Sequence, residues 1–267
     1  MVRVLMCVAG VVGGCVLIGC AGQAERTEVK QEVAVTERAR GVVFQELPSG
    51  EKFAVYVPRG NAPAGGWPCI VFLNGSGECG TDGQRQLTQG VLPAVLNKPD
   101  EWPFVIVFPQ KPTSKTAWLE HKDMVMACLA QAESEWPVDK SRIYLTGLSQ
   151  GGKGTWEIAA ADQGKTFAAV APVCGFGDPG AVVPGLGSTP VWAFHGEKDD
   201  VVKPEQTRRM VGQLATSRST KADEMQKDDG KAGSLRMTIY ADLNHGCWDR
   251  AYRDSGLPGW FLRFKKQ

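Results

Sequence analysis

Short, wholly apolar runs alternate with amphipathic segments along the chain from about residue 41 onward. A run such as "CIVFL" (69–73) has no polar position, which is typical of a strand buried on both faces of a sheet. The segment after residue 121 instead places Met124, Cys128, Leu129 and Ala132 on one helical face and ends before Pro137. The other predicted strands lie at 102–110, 142–149, 167–175, 189–196 and 234–242, and the other helices at 150–162, 204–216 and 256–266.

This alternation predicts an α/β fold, with a mostly parallel sheet and helices on both faces. Two β-rich runs flank Pro48, Ser49 and Gly50, and they predict a hairpin that adds antiparallel strands at the N-terminal end of the domain. Residues 217–234 are polar, and we interpret them as an exposed loop or a ragged helix end. The sequence contains no internal repeat.

The first twenty residues form a separate segment. Arg3 is followed by an apolar run that is too short and too rich in glycine for a spanning helix. The run ends in "LIGC" (17–20), which resembles a bacterial lipobox and implies cleavage before Cys20 and a diacylglycerol on its sulfur. A plain signal peptide and an uncleaved anchor are the alternatives. We expect an exported envelope lipoprotein, periplasmic or tethered to the outer membrane, with a flexible tether at 21–40 and one folded domain at 41–267.

Composition narrows the classes of function. The 267 residues have a formal net charge of +1 and no basic run, which argues against a nucleic-acid partner. Beyond Cys20 five cysteines remain, an odd number that leaves at least one unpaired. Their spacings match no zinc pattern, so no metal is expected. Cys69 and Cys128 lie in apolar patterns and are interpreted as buried hydrophobic residues.

The segment "RIYLTGLSQGGKGTW" (142–156) contains a candidate nucleophile. A serine hydroxyl attacks well only when a neighbouring base takes its proton. A strained turn from strand to helix can present that hydroxyl, and it tolerates only small residues two positions away on each side. Gly147, Ser149 and Gly151 match this pattern, and the strand and helix that the turn requires are predicted on either side.

Three histidines are candidates for the base. In a hydrolase of this architecture the chain order is nucleophile, acid, histidine. His121 precedes Ser149, and His195 ends a strand before any suitable acid, where we expect it to shape a turn. His245 follows the last predicted strand and is the remaining candidate.

The acid should follow the preceding strand, where it can orient the imidazole and stabilise its charged form. "HGEKDDVV" (195–202) offers Asp199 and Asp200, whose side chains should point in different directions. The glycine-rich loop 72–80 should supply one half of an oxyanion hole. We pair the backbone N–H of Ser76, or of a neighbouring glycine, with that of Gln150.

Five segments together resemble the α/β-hydrolase superfamily. More narrowly, residues 43–264 are similar to carboxylesterase/phospholipase-type serine hydrolases, the "predicted peptidase" group related to dienelactone hydrolase and to feruloyl and acetylxylan esterases. In that group the motif H-G-x-x-D-x-V-V implies Asp199 as the acid, and H-x-x-W implies His245, followed by Trp248 as a substrate-binding candidate. The segments are "VFLNGSGECG", "YLTGLSQGGKGTW", "AAVAPVCGFGD", "VWAFHGEKDDVV" and "HGCWDRAY".

Two departures from the family pattern concern the pocket. The family loop H-G-x-G-E-R-G has Asn74 in place of the histidine and Cys79 in place of the arginine, so Glu78, a second substrate-binding candidate, lacks its usual neighbour. Dienelactone hydrolases use a cysteine nucleophile, so the serine points away from that branch. A disulfide between Cys79 and Cys247 is one alternative, because both are expected at the catalytic edge.

The resemblance and the candidate residues imply an exported serine carboxylesterase that needs no cofactor. The segment 176–188 is too short for a large lid, which suits esters on polysaccharide carriers. Trp118, Trp156 and Trp248 are candidate stacking surfaces, although Trp156 should face the core, and Lys153 is expected in solvent. A serine peptidase with the same triad and a catalytically silent binding lipoprotein are the alternatives.

Overall fold

Eight strands form one mixed sheet in the computed structural model, which describes residues 40–220 and 233–266. The strand order is β1-β2-β4-β3-β5-β6-β7-β8, and every neighbouring pair from β4 to β8 is parallel. The antiparallel pairs β1–β2 and β2–β4 lie at one edge, so the predicted fold class is confirmed. The strands are β1 Gly41–Glu46, β2 Lys52–Val57, β3 Trp67–Leu73, β4 Val105–Pro109, β5 Val138–Leu148, β6 Ala169–Val173, β7 Val191–Gly196 and β8 Leu235–Tyr240.

Seven α-helices accompany the sheet in the described ranges: α1 Val91–Asn97, α2 Lys122–Glu135, α3 Gln150–Asp162, α4 Pro179–Leu186, α5 Glu205–Ser217, α6 Trp248–Asp254 and α7 Leu257–Phe261. The sequence pattern predicted α2, α3 and α5. It missed three short helices, α1, α4 and α6, and it made the closing helix too long. That helix stops at Phe261 because the following chain runs back to the sheet, where Lys266 N–H donates to Ser141 O at 2.8 Å.

Alternation along the strands builds two separate cores. In β3, Cys69 and Val71 pack on one face, where α2, α3, α4 and α5 cover the sheet. Ile70 and Phe72 point to the other face, where α1, α6 and α7 pack. Successive strand residues alternate between faces, so strands that are apolar at every position can fill both layers.

Several predictions concern residues outside the described ranges. The lipobox with Cys20 and the tether up to residue 39 are among them, and so is most of the polar segment 217–234. The described residues from Arg40 onward belong to one compact unit. Within the two described ranges, no helix is both long and apolar enough to cross a membrane.

Candidate active site

A strained turn carries Ser149 between the end of β5 and the start of α3. Its φ of 55° lies in the left-handed region, which a residue other than glycine rarely adopts. The backbone N–H of Ser149 donates to the carbonyl of Val173 at 2.9 Å, which ties the turn to the neighbouring strand β6. The turn that the sequence predicted is therefore present, with the serine at its tip.

The glycines on either side of the turn are required by close backbone contacts. A Cβ on Gly151 would lie 2.0 Å from the carbonyl oxygen of Leu73 in β3. A Cβ on Gly147 would lie 2.6 Å from the carbonyl oxygen of Gly151. Neither neighbour is a flexible side chain, so the turn admits only glycine at both positions.

Three predicted residues from distant parts of the chain meet at the carboxyl ends of the parallel strands. The Nε2 atom of His245 lies 3.0 Å from the Ser149 hydroxyl, and its Nδ1 atom lies 2.6 Å from Oδ2 of Asp199. Because a carboxylate only accepts, Nδ1 carries the hydrogen and Nε2 is free to accept from the serine. This arrangement can pass a proton from the hydroxyl to the imidazole.

The structure distinguishes the two adjacent aspartates. Asp199 is buried and follows β7, whereas Asp200 is exposed. Oδ1 of Asp199 accepts from the backbone N–H groups of Val201 and Val202, each at 2.9 Å, which leaves Oδ2 for the histidine. These backbone bonds hold the carboxylate in the orientation that the imidazole needs.

His195 has a closer relation to this acid than the sequence suggested. The ring is fully buried, and its Nε2 lies 2.8 Å from Val202 O and 3.0 Å from Asp199 Oδ2. Both partners only accept, so Nε2 carries the hydrogen, and the Thr207 hydroxyl lies 2.8 Å from Nδ1. Burial lowers the pKa of His195 and favours the neutral ring. One carboxylate oxygen therefore contacts two imidazoles, which the sequence analysis missed.

Gln150 is the first residue of α3, so its helix offers no partner for its backbone N–H. Its side chain is fixed by Lys111 Nζ, which donates to Gln150 Oε1 at 2.7 Å and to Thr116 O at 2.6 Å. The side-chain amide nitrogen of Gln150, Nε2, donates to Ser114 O at 3.1 Å. Burial lowers the pKa of Lys111. Sequence reasoning missed Lys111, because nothing in the local pattern marks a lysine as buried.

The loop after β3 contains the other predicted oxyanion residue, Ser76, which is exposed. Asn74, which replaces the family histidine, is buried and holds the loop. Its Nδ2 donates to Gly75 O at 2.6 Å, and its Oδ1 accepts from Lys111 N–H at 3.3 Å. Glu78 is half-buried and its Oε2 has no hydrogen-bond partner, and burial raises its pKa. Glu78 thus lacks the arginine neighbour of the family pattern, and one of its carboxylate oxygens has no hydrogen-bond partner.

The cysteine pairing considered from the sequence is wrong. The Cys79 sulfur contacts Asn74 Nδ2 at 3.6 Å and Gly75 O at 3.5 Å. The Cys247 sulfur instead lies 2.9 Å from the sulfur of Cys174, which follows β6. In this structure no S–S bond joins any of the five cysteines in the described part of the chain.

The three tryptophans separate clearly by burial. Trp118 is buried, and its Nε1 donates to Asn74 O at 2.9 Å, so it is no stacking surface. Trp156 is fully buried, as expected. Trp248 is half-buried and meets the His245 ring edge-on, with centroids 5.4 Å apart. Lys153 pairs with a glutamate on its own helix at 3.6 Å and is less solvated than expected.

Cys174, Asp199 and His245 also place their ligand atoms within 4.8 Å of one another, and no other described group of such residues is close enough to share a metal ion. Two of the three residues already bond to each other in the proton-transfer chain. The acid–base arrangement therefore accounts for Asp199 and His245, and the Cys174 sulfur contacts His245 O and the Cys247 sulfur.

Comparison with protein-family models finds no match. The chain is 28% identical over 169 residues to the bifunctional acetylxylan esterase/xylanase XynS20E of Neocallimastix patriciarum, a match that covers 61% of this chain and 23% of that protein. Among solved structures, a thermostable esterase has a TM-score of 0.68 and 28% identity, over 84% of this chain and 63% of that one. The feruloyl esterase module of Clostridium thermocellum has a TM-score of 0.65 and 15% identity, over 83% and 88%.

The chain thus spans under a quarter of the curated relative and under two thirds of the thermostable esterase. The acetylxylan esterase of Aspergillus awamori, with a TM-score of 0.59 and 15% identity over 82% of this chain and 99% of that one, shares the fold. The eight-stranded sheet and these structural neighbours show that the chain has the α/β-hydrolase fold, and the similar proteins named above are esterases.

Proposed function

We propose that this chain is a serine carboxylesterase. One observation carries the proposal: the unbroken series of contacts from the Ser149 hydroxyl through His245 to Asp199, at 3.0 and 2.6 Å. A serine surrounded by idle residues would not have an imidazole whose free nitrogen faces its hydroxyl and whose other nitrogen faces a buried carboxylate.

In the proposed reaction, Ser149 Oγ attacks the ester carbonyl while Nε2 of His245 takes the hydroxyl proton. The ring then carries a positive charge, which Asp199 stabilises through Nδ1. The alcohol leaves with the proton from Nε2, and the acyl group remains on the serine. Water, activated by the same imidazole, then attacks the acyl-enzyme and restores the hydroxyl.

The negative charge that develops on the carbonyl oxygen needs donors close to Ser149. The backbone N–H of Gln150 is free of a helix partner and lies at the positive end of α3. The second donor in our proposal is a backbone N–H of the 75–77 segment, with Ser76 as the sequence-based candidate. Loss of one such donor typically slows a reaction of this kind by about 10²–10³-fold.

The substrate class that we propose is carboxylic esters on polysaccharide carriers. Two named relatives support it, an acetylxylan esterase/xylanase and a feruloyl esterase module. The half-buried Trp248 beside the imidazole offers an aromatic edge at the site, and Glu78 is the second candidate contact.

Export and lipidation at Cys20 complete the proposal, because a polymeric substrate has to be met outside the cell. Substituting Cys20→Ala should release the protein from the membrane fraction, and unchanged fractionation would contradict the anchor.

The test is an ester panel on purified protein, with acetyl, feruloyl, glucuronoyl methyl and short p-nitrophenyl esters beside peptide p-nitroanilides. We expect turnover of esters and none of anilides. Asp199→Asn should lower kcat by about 10⁴-fold, because the amide no longer favours the correct imidazole tautomer. Asp200→Asn is the matched control and should leave kcat unchanged. Equal loss in the two variants, or turnover by Ser149→Ala, would contradict the mechanism.

A further inference from the structure

The thiols of Cys174 and Cys247 lie next to His245, the residue that we assign as the base. Cys174 follows β6, and Cys247 precedes α6, 73 positions later in the sequence. Their sulfurs are 2.9 Å apart, closer than two sulfurs in ordinary van der Waals contact, and both residues are fully buried.

The backbone around each cysteine already presents its sulfur to the other. Cys174 has a φ of 48°, in the left-handed region, so its side chain leaves the strand end in an unusual direction. Its N–H donates to Phe194 O at 2.9 Å, which fixes this position against β7. The sulfur of Cys174 also lies 3.1 Å from the carbonyl oxygen of His245. A strained residue that is aimed at another cysteine suggests a role beyond packing.

We propose that Cys174 and Cys247 form a disulfide that fastens the His245 loop to the sheet. The oxidant is the disulfide of a small molecule or of another protein, and the reaction reduces it to two thiols. The two cysteine thiols lose two electrons and two protons, and one S–S bond forms between them. The inference does not rest on the esterase activity, because the bond depends only on the two sulfurs.

The position of this bond gives it a consequence for the site. Cys174 directly follows Val173, whose carbonyl accepts the N–H of Ser149. Cys247 lies two residues after His245. The bond would therefore join the strand that supports the serine to the loop that carries the imidazole. Because small displacements in such a pair are costly, a fixed loop should keep the base within reach of the hydroxyl.

Burial also determines when the bond can form. Desolvation raises the pKa of Cys174 well above that of an exposed thiol, so little thiolate exists in the folded protein. Exchange with an external disulfide needs a thiolate and access. We therefore expect oxidation during folding, after which the buried bond resists reduction.

The experiment refolds the full chain in a mixture of oxidised and reduced glutathione, then alkylates free thiols in denaturant and maps peptides by mass spectrometry. The expected result is a linked peptide that contains Cys174 and Cys247, with Cys69, Cys79 and Cys128 alkylated. Two free thiols at positions 174 and 247 after equilibration, or either cysteine linked elsewhere, would overturn the proposal. This measurement needs no variant and no ester turnover, so it is independent of the proposed function.

Matched variants test the consequence. Wild-type protein that is unfolded, reduced and refolded with excess reductant should have a Tm lower by on the order of 10 °C than the oxidised protein, since the bond closes a long loop in the unfolded chain. Its kcat should also be lower, by about threefold, with KM little changed. The double variant Cys174→Ala/Cys247→Ala should not respond to reductant, whereas the control Cys128→Ala, a buried thiol of the other core, should respond as the wild type does. An equal response in both variants would overturn the fastening role.

Discussion

The turn that carries Ser149 and the loop that carries His245 (residues 241–247) are held in place by different means. The serine turn is set by backbone atoms: two glycines pack against main-chain carbonyls, and Ser149 N–H is bonded to β6. The histidine loop depends on side chains from elsewhere, among them Asp199 and Cys174. Its main chain also lies against the end of β7, where a Cβ on Gly196 would come 2.2 Å from Asn244 O and Lys198 N–H donates to Leu243 O at 2.9 Å. Side chains therefore decide the position of the imidazole rather than that of the whole loop.

This difference explains how each part should respond to change. A backbone-defined turn has no alternative arrangement, so a single added methyl group there disrupts the fold around it. An imidazole held by side chains loses one contact at a time, so substitutions there should lower activity by degrees. The turn should therefore fail abruptly and the alignment of the imidazole gradually.

The largest expected effect comes from adding one methyl group to the serine turn. Gly151→Ala places a Cβ 2.0 Å from Leu73 O, which forces β3 and α3 apart. We expect loss of at least about 3 kcal/mol of unfolding free energy, and no measurable ester turnover. Urea unfolding followed by circular dichroism gives the free energy.

The control for this variant is Gly212→Ala. Gly212 lies inside α5, and a Cβ there meets no atom within 4 Å. Alanine is the better helix former, so this variant should gain up to about 1 kcal/mol. A Gly151→Ala protein as stable and active as the wild type would show that the turn can relax, and would remove the contrast drawn above.

A medium effect on kcat is expected when Asp199 loses its second imidazole partner, His195. His195→Leu removes one of the two imidazoles that contact Asp199 Oδ2 and the donor to Val202 O, and kcat should fall by about tenfold or more. His195→Gln keeps an N–H at a similar distance from the backbone and should recover much of that loss. Equal kcat in the two variants would show that the ring only fills space.

The same residue should affect how stability depends on pH. Burial lowers the pKa of His195 below its ordinary 6.5, so the unfolded state binds a proton that the folded state does not. Its contribution is complete above pH 6.5 and is lost as the pH falls towards the lowered value. Tm should therefore fall less steeply between pH 7 and 5 in His195→Gln than in the wild type.

The smallest effect should come from Trp248, which contacts the imidazole edge and donates from Nε1 to Gln89 Oε1 at 3.2 Å. Trp248→Phe keeps an aromatic ring but loses that hydrogen bond, and kcat should drop about twofold to threefold. Gln89→Leu is the comparison, since it removes the same bond and leaves the tryptophan. A drop in kcat for Trp248→Phe alone would locate the effect in the ring rather than in the hydrogen bond.

The serine turn could be predicted from the sequence because its requirements are local. The glycines, the predicted strand before them and the predicted helix after them all lie within residues 142–162. Asp199 and Asp200 could not be separated by pattern alone, because burial of one of them depends on where β7 ends in the sheet. The resemblance to a family supplied that choice.

Short helices and side-chain supports could not be predicted as well from the sequence. In α4 the residues Gly180, Pro184 and Gly185 conceal a helix that begins at the Asp178 cap, where the carboxylate accepts from Gly180 N–H. The buried state of Trp118 depends on the Asn74 carbonyl, 44 residues away. Contacts of this range leave no periodic signal, so pattern reading cannot find them.

The close backbone contacts around Gly147 and Gly151 also limit how such a site can change in evolution. The backbone forbids a Cβ on Gly147 or Gly151, whereas residue 149 already carries one, and in the proposed reaction only its terminal atom bonds to the substrate. A lineage could exchange that atom, oxygen for sulfur for example, without rebuilding the scaffold. The reacting atom can therefore change at residue 149, whereas the glycines at positions 147 and 151 cannot be replaced.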